Sequence, residues 1–480
     1  MRALRWYVVL VVVAAGCATN PATGRKQLIL MSEAEEVQLG RQSDAEVRQQ
    51  MGVYEDQALQ QYVTQVGQKL ARASHRPNLP WTFAVVNEAA VNAFALPGGF
   101  VYLTRGILPF LRDEAELAAV MGHEIGHVDG RHSVEAVSKQ TLGGGGLAVA
   151  SILLPGPGGE AAAAVGSIGL GALFLKHSRE AELEADQLGV RYTSTNGWDP
   201  QGMPGLLNTL ARLDEASGTS RGVPNWALTH PPAADRVEKV QAAVAAARSE
   251  SATARNETTF ERHIDGVVFG DSREQGFVRG SEFLHPVLRF ALRFPEQWEI
   301  VNSSEQVAAR PGENANAAMV LQLASGSGGS IEQSARASME NSGYQLVDGE
   351  RTRINGLDAF VGTYQGVSGN TRIGVRAAHI RSGQQTYIVA GLAVASEFGR
   401  NVRLFDQSIQ TFRALSAQEA ERLQPNRIDF YTVRSGETWT SLASGPGGGR
   451  VKASTLAIMN GSDPNTPPRA GARIRIVVAG

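Results

Sequence analysis

The ten residues HEIGHVDGRH, at 123–132, constrain this chain more than any other stretch. They set two histidines four apart with a glutamate directly after the first, inside a run where Leu117, Val120, Met121, Ile125 and Val128 recur at three- and four-residue steps. That period predicts a helix over 113–137, with acids in its first turn and basic residues later, as the helix dipole favours. Residues four apart stack on one helix face, so His123 and His127 can offer two imidazoles to one ion, while Glu124 is turned aside toward a metal-bound water. Zinc lowers the pKa of such a water from about 15.7 toward about 7, and a neighbouring carboxylate can take the proton during attack on a peptide carbonyl.

An HExxH string arises by chance roughly once in a hundred chains of this length, so the motif does not decide alone. Two histidines also leave a tetrahedral metal incomplete. The stretch SREAELEAD at 178–186 supplies more donors. Glu182 and Asp186 are again four apart on a predicted helix, so one carboxylate can ligate while the other accepts a ligand histidine's free N–H.

The formal charge of −2 and pI near 6.5 offer no basic stripe to replace counterions along a phosphate backbone, which excludes a nucleic-acid partner. Cys17 is the single cysteine, so no intramolecular disulfide or cysteine metal cluster can form. Arg2 and Arg5 precede an apolar run over 6–15, too short to span a bilayer but ordered like a secretory signal. It ends in AAGC, which resembles a bacterial lipobox and makes Cys17 the candidate acylated residue. The alternative is an ordinary cleaved signal with an incidental cysteine. Both predict export to the periplasm, and as a lipoprotein Ala18 implies outer-membrane anchoring.

Three ordered motifs, HEIGH, SRxxExEAD and THPPAADR at 229–236, together with NAFALPGGFVYLTRG at 92–106, resemble the zinc metallopeptidase family of the CAAX prenyl endopeptidase, HtpX and BepA type. The resemblance implies one Zn2+ per chain, with His123, His127 and Glu182 as ligands, Glu124 as general base and Asp186 hydrogen-bonded behind the ligands. It gives His230 and Arg236 catalytic positions, the histidine either steadying the tetrahedral intermediate or occupying the open zinc position at rest. His132 and His177 are read as structural. The stretch around Gly99, Phe100, Val101 and Tyr102 is read as an edge strand that could pair with an extended peptide substrate, the alternative being an internal strand.

The apolar piece at 142–175, broken by Pro155 and Pro157, has arms too short to span and reads as a helical hairpin over the active site, touching lipid at the membrane surface, or within the core. Between 258 and 415, pieces from Leu288, Met319, Ala359, Ile373 and Thr386 alternate as antiparallel strands do, with helices predicted at 330–342 and 397–412. This part weakly resembles small α+β domains of the photosystem PsbP type, and His285 is read as a turn residue. YTVRSGETWTSLA from Tyr431, LAIMNG from Leu456 and NTPPRAGARIRIVV from Asn465 resemble a LysM module.

The predicted fold class is multidomain α+β: a mainly helical HExxH zincin domain with a small edge β-sheet at 25–250, an antiparallel α+β domain at 258–415, and a βααβ LysM-like domain at 428–480, after a signal segment at 1–17. SESATARNE at 249–257 and SAQEAERLQPNR at 416–427 are the expected linkers. The resemblances imply a zinc endopeptidase of the bacterial cell envelope that acts in protein quality control on unfolded or misassembled envelope proteins. Peptidoglycan binding and a lipid anchor in the membrane would place it. The competing expectation is a chaperone-like or peptidoglycan-binding envelope lipoprotein whose metal site is largely self-inhibited.

Overall fold

A computed structural model describes residues 17–142, 177–217, 226, 230, 234–247, 251–303, 306–312, 315–324, 329–368 and 371–480. The expected signal run over 6–15 and nearly all of the apolar piece at 142–175 lie outside the described residues. Among the described residues no helix is long and apolar enough to cross a membrane. The chain forms two compact units, Met1–Gly270 with Asn426–Gly480, and Asp271–Pro425.

The first unit opens with a short hairpin, β1 (Cys17–Thr19) against β2 (Lys26–Leu28). Helix α1 (Glu33–Met51) starts at Ser32, whose hydroxyl accepts from the Glu35 amide while the Glu35 carboxylate accepts from the Ser32 amide. Helix α2 (Gln57–Arg72) is capped by Asp56 and packs its apolar stripe of Leu59, Val63, Val66 and Leu70 inward. Strands β3 (Thr82–Val86), β4 (Ala93–Leu96) and β5 (Phe100–Thr104) form a sheet in the order β3-β5-β4.

This order corrects the expected edge strand. β5 pairs in parallel with β3 on one side and antiparallel with β4 on the other, so Phe100, Val101 and Tyr102 have no free edge for a peptide. The glycines explain why: Gly98 and Gly99 have φ of 80° and 102°, which lets the chain reverse tightly so that β4 and β5 close on each other. The edges of the sheet are β3 and β4, and β4 lies beside the motif helix.

That helix, α3 (Glu114–Asp129), starts at Asp113, whose carboxylate accepts from the Glu116 amide, and every one of its residues is buried. The single helix expected over 113–137 is instead broken. Gly130 and Arg131, the latter at φ 53°, separate α3 from α4 (His132–Leu142). Helix α5 (Arg179–Thr195) starts at Ser178 and runs along α3, followed by α6 (Gly202–Ser217), α7 (Ala234–Ala247), α8 (Glu257–Ile264) and β6 (Val268–Phe269). Leu117, Val120, Ile125, Val190, Leu207 and Val240 belong to the core these helices share. Residues 251–256, read as a linker, pack against this body: Ala254 bridges Trp198, and Arg255 Nε sits 3.1 Å from Asp113 Oδ2.

The second unit contains a seven-stranded antiparallel sheet and a four-stranded one. Strands β7 (Phe277–Arg279), β8 (Glu282–His285), β9 (Phe290–Arg293) and β17 (Arg413–Ala414) make the smaller sheet in the order β17-β9-β8-β7. The larger comprises β10 (Glu299–Asn302), β11 (Gln306–Arg310), β12 (Ala317–Leu323), β16 (Gln385–Val394), β15 (Thr371–Ser382), β14 (Leu357–Ser368) and β13 (Gln345–Ile354), in that spatial order. Helices α9 (Ile331–Asn341) and α10 (Ala395–Ile409) cover its faces, inserting Met339 and Phe405 respectively into cores built on the sheet. His285 ends β8, and its Nδ1 accepts from the Leu288 amide at 3.2 Å, a turn role. Part of the stretch expected as a linker at 416–427 is α11 (Ala417–Arg422), with a Ser416–Glu419 capping box.

The chain then returns to the first unit as β18 (Asn426–Thr432), α12 (Trp439–Ser444), α13 (Ala453–Met459) and β19 (Arg473–Ala479), with β18 and β19 antiparallel and β6 added to β18. Ile428, Ile458, Met459 and Val477 are part of the same core as α3. The buried Arg475 guanidinium donates to the carbonyls of Arg112 at 2.6 Å and Met459 at 3.0 Å.

Candidate metal centre

Helices α3 and α5 approach closely because small residues face each other at the crossing. A Cβ on Gly122 would lie 3.1 Å from Gly189 Cα, one on Gly126 3.0 Å from Ala185 Cα, and one on Gly189 2.9 Å from the His123 nitrogen. Backbone contact of this kind lets short side chains meet across the pair. His123 and His127 from α3, Glu182 from α5 and His230 bring one ligand atom each to within 4.8 Å of one another, all four buried.

His123 Nε2 is 3.0 Å from His127 Nε2, 3.4 Å from His230 Nδ1 and 3.7 Å from Glu182 Oε2. His127 Nε2 is 3.4 Å and His230 Nδ1 2.8 Å from Glu182 Oε1. Donors at about 2.0–2.1 Å around a tetrahedral ion are about 3.3–3.4 Å apart, so these spacings bracket a four-coordinate site. Lone pairs turned toward one another in a buried place are unfavourable unless a cation or a proton lies between them. The donor set of three imidazoles and a carboxylate suits zinc.

Each neighbour reinforces this. Asp186 Oδ1 lies 3.0 Å from His123 Nδ1, holding the proton there and leaving Nε2 for the centre. Arg236 donates from Nε to Asp186 Oδ2 at 2.7 Å and also reaches Glu182, so one guanidinium balances both carboxylates. Burial pushes Glu182 up, but the charge of His230 and hydrogen bonds from His127 and His230 outweigh it and hold the carboxyl well below its usual range. Burial, then the nearby His177, holds the His127 imidazole well below its own. An ionised carboxylate and a neutral imidazole are the forms a metal takes. Burial pulls His123 down, yet the Asp186 hydrogen bond and the charges of Asp186 and Glu182 raise it overall.

Glu124 stands beside the cluster. Its Oε1 is buried without a hydrogen-bond partner among the described residues, 3.9 Å from His230 Nε2. Burial raises its pKa, more than the neighbouring imidazoles lower it. A carboxylate with an open lone pair and elevated basicity, next to a metal position, is arranged to take a proton.

The structure therefore gathers His123, Glu124, His127, Glu182, Asp186, His230 and Arg236 in one place. It leaves Phe100, Val101 and Tyr102 in the interior of a sheet, where Tyr102 donates to Asp44. Cys17 opens β1, and Gly99 belongs to the turn before β5.

The sequence reading took His132 as structural without its contact to His127, and it missed Trp226. His132 Nδ1 lies 2.9 Å from His127 Nδ1, so it holds the second ligand ring much as Asp186 holds the first. The Gly130–Arg131 break turns α4 back to make this contact, and the Gly-Arg pair before His132 was its only signal. Trp226 stacks on His230 with ring centroids 4.0 Å apart and packs near His123 at 5.5 Å. Its sign in the sequence was an aromatic four residues before the histidine. His177 stacks on His127 at 4.1 Å.

Residues 57–244 match Peptidase family M48. The chain is 32% identical over 219 residues to the "Beta-barrel assembly-enhancing protease" of Escherichia coli, covering 44% of each chain. It is 34% identical over 186 residues to the "Mitochondrial metalloendopeptidase OMA1" of Schizosaccharomyces pombe, covering 38% of this chain and 51% of the relative. The chain thus spans about half or less of the length of these relatives. Among solved structures, cyanobacterial PsbP from Synechocystis is similar at 12% identity and a TM-score of 0.23, covering 29% of this chain and 95% of that one, too low to carry an argument.

Proposed function

We propose that this chain, whose residues 57–244 match peptidase family M48, is a zinc-dependent endopeptidase of the bacterial cell envelope. The observation that carries the reading is Glu124 Oε1, buried with no hydrogen-bond partner among the described residues, beside a buried donor set of three histidines and a glutamate. His123, His127 and Glu182 would hold the zinc, which would supply Lewis acidity there. Glu124 takes the proton from the attacking water and passes it to the leaving amine. His230, whose Nε2 lies 3.9 Å from Glu124 Oε1, and Arg236, which donates to Glu182, would lower the energy of negative charge that develops beside them. Asp186 and His132 hold the ligand rings so that this geometry is ready before substrate arrives.

Substrates are unfolded or misassembled envelope proteins, a reading supported by the likeness to a protease named for β-barrel assembly. Cys17 acylation would hold the enzyme at the outer membrane, and the βααβ segment at 426–480, in its LysM-like motif order, would add peptidoglycan binding. With β5 paired on both sides, β4 is the strand edge nearest α3 for an extended peptide. The test is cleavage of an unfolded protein such as casein by the wild type and by Glu124→Gln at equal zinc content. Retained cleavage in the variant would reject the reading.

A second reading has its own observation. His230 is inside the donor set rather than behind it, pinned by the Trp226 stack and by Glu182 at 2.8 Å. As a fourth ligand it would close the site at rest, and the protein would then act mainly by binding its clients.

A further inference from the structure

The metal helix is held at its C-terminal end by the hairpin that follows Cys17. Asn20, buried, donates from Nδ2 to Glu184 Oε1 at 2.5 Å. The same oxygen lies 3.4 Å from His132 Nε2, and His132 Nδ1 lies 2.9 Å from His127 Nδ1. Gln27, on β2, donates to the Gly130 carbonyl at 2.8 Å, fixing the hairpin to the break between α3 and α4. Arg25 approaches Glu135 at 3.6 Å and Glu184 at 3.9 Å.

The polarity of this chain has one consistent solution. For Nε2 of His127 to face the metal donors, its Nδ1 carries the proton and needs an acceptor. His132 Nδ1 is that acceptor only when its own proton is on Nε2; that nitrogen has no hydrogen-bond partner among the described residues, and the negative charge of Glu184 at 3.4 Å is what favours the proton there. Asn20 in turn holds the Glu184 oxygen in place. Gly130 keeps the room open: a Cβ there would meet His132 Nε2 at 2.4 Å and Glu184 Oε1 at 2.9 Å.

We propose that the 17–28 hairpin is a working part of the metal centre, with Asn20, Glu184 and His132 as positioning residues that set the tautomer and orientation of His127. Docking of the segment that begins at Cys17 is thereby coupled to metal affinity. The inference rests on the zinc reading above, and supports to ligand histidines of this kind change metal affinity by about 10–100-fold.

Zinc dissociation constants of the full chain, from competition with a chromogenic chelator, test it together with thermal unfolding of the metal-free proteins. Asn20→Ala and Glu184→Ala are expected to weaken zinc binding about tenfold or more, with metal-free unfolding midpoints near wild type. His132→Phe should lose at least as much affinity. His132→Asn should recover part of it, because an amide oxygen can still accept from His127 while a phenyl ring of similar shape cannot. Should Glu184→Ala fail to fold, Asn20→Asp carries the same test, since it removes the donor and faces Glu184 with a second carboxylate. Wild-type zinc affinity in the Asn20 variants, or equal affinity in His132→Phe and His132→Asn, would overturn the inference. A wild-type chain without zinc would instead overturn the reading beneath it.

Discussion

His230 Nδ1 and Glu182 Oε1 are 2.8 Å apart, and the histidine belongs with His123, His127 and Glu182 to the group of buried side chains that could hold a metal. The flanking Trp226 ring keeps it there. If His230 closes the fourth position at rest, His230→Ala should bind zinc with an open site and cleave casein faster than wild type. If it acts only on the transition state, the same variant should lose about tenfold or more in kcat with little change in zinc content. Steady-state kinetics with zinc analysis separates the two.

Arg236 balances two buried carboxylates, so its removal strips the permanent cation from both and leaves them only imidazole partners. Arg236→Ala should destabilise the metal-free protein by about 3–5 kcal/mol. Zinc should restore part of that loss by neutralising Glu182. Arg236→Lys should rescue only partly, because an ammonium cannot reproduce the fork to Asp186. Thermal unfolding with and without zinc reads both effects.

The 426–480 segment shares its core with the peptidase helices. Ile458 and Met459 pack in the cluster that contains Leu117 and Val120. Truncation at 425 should therefore destabilise the first unit rather than merely remove an appended module. Ile458→Ala should cost about 2–4 kcal/mol of the unfolding free energy of that unit. Chemical denaturation of the full chain gives the comparison, and an unchanged first transition would contradict the shared core.

His379 is fully buried on β15, and neither ring nitrogen has a hydrogen-bond partner among the described residues. Burial lowers its pKa from 6.5 to about 4. Between those values the unfolded chain binds a proton that the folded one does not, so the stability of the second unit is full above about pH 6.5 and falls toward pH 4, by about 3 kcal/mol from this residue. His379→Phe should flatten that acid limb and stabilise the unit at low pH. Urea unfolding at a series of pH values checks it.

What the sequence made legible follows from period and spacing. The histidines four apart and the second carboxylate pair lie close in the folded site because helix geometry makes each pair predictable, and His230 joins them. The strands from Ala359, Ile373 and Thr386 were legible because their apolar residues run through the interior, buried on both faces of the sheet. β13 was not, since most of its residues are exposed and no alternation marks an edge strand of that kind. The break at Arg131 was hidden because its hydrophobic period continues into α4, and with it went the role of His132. Pairing of β5 on both sides was equally hidden, because strand neighbours depend on chain reversal at Gly98 and Gly99 and not on the composition of the strand. The placement of 426–480 in the first unit is a long-range contact, which local motif order cannot express.

The most direct measurement is zinc content together with casein cleavage for the purified full chain and for Glu124→Gln. The account predicts one zinc per chain in both proteins, with cleavage reduced by about a hundredfold or more in the variant. A wild-type chain that folds without binding zinc, or a variant that cleaves as fast as wild type, would contradict it.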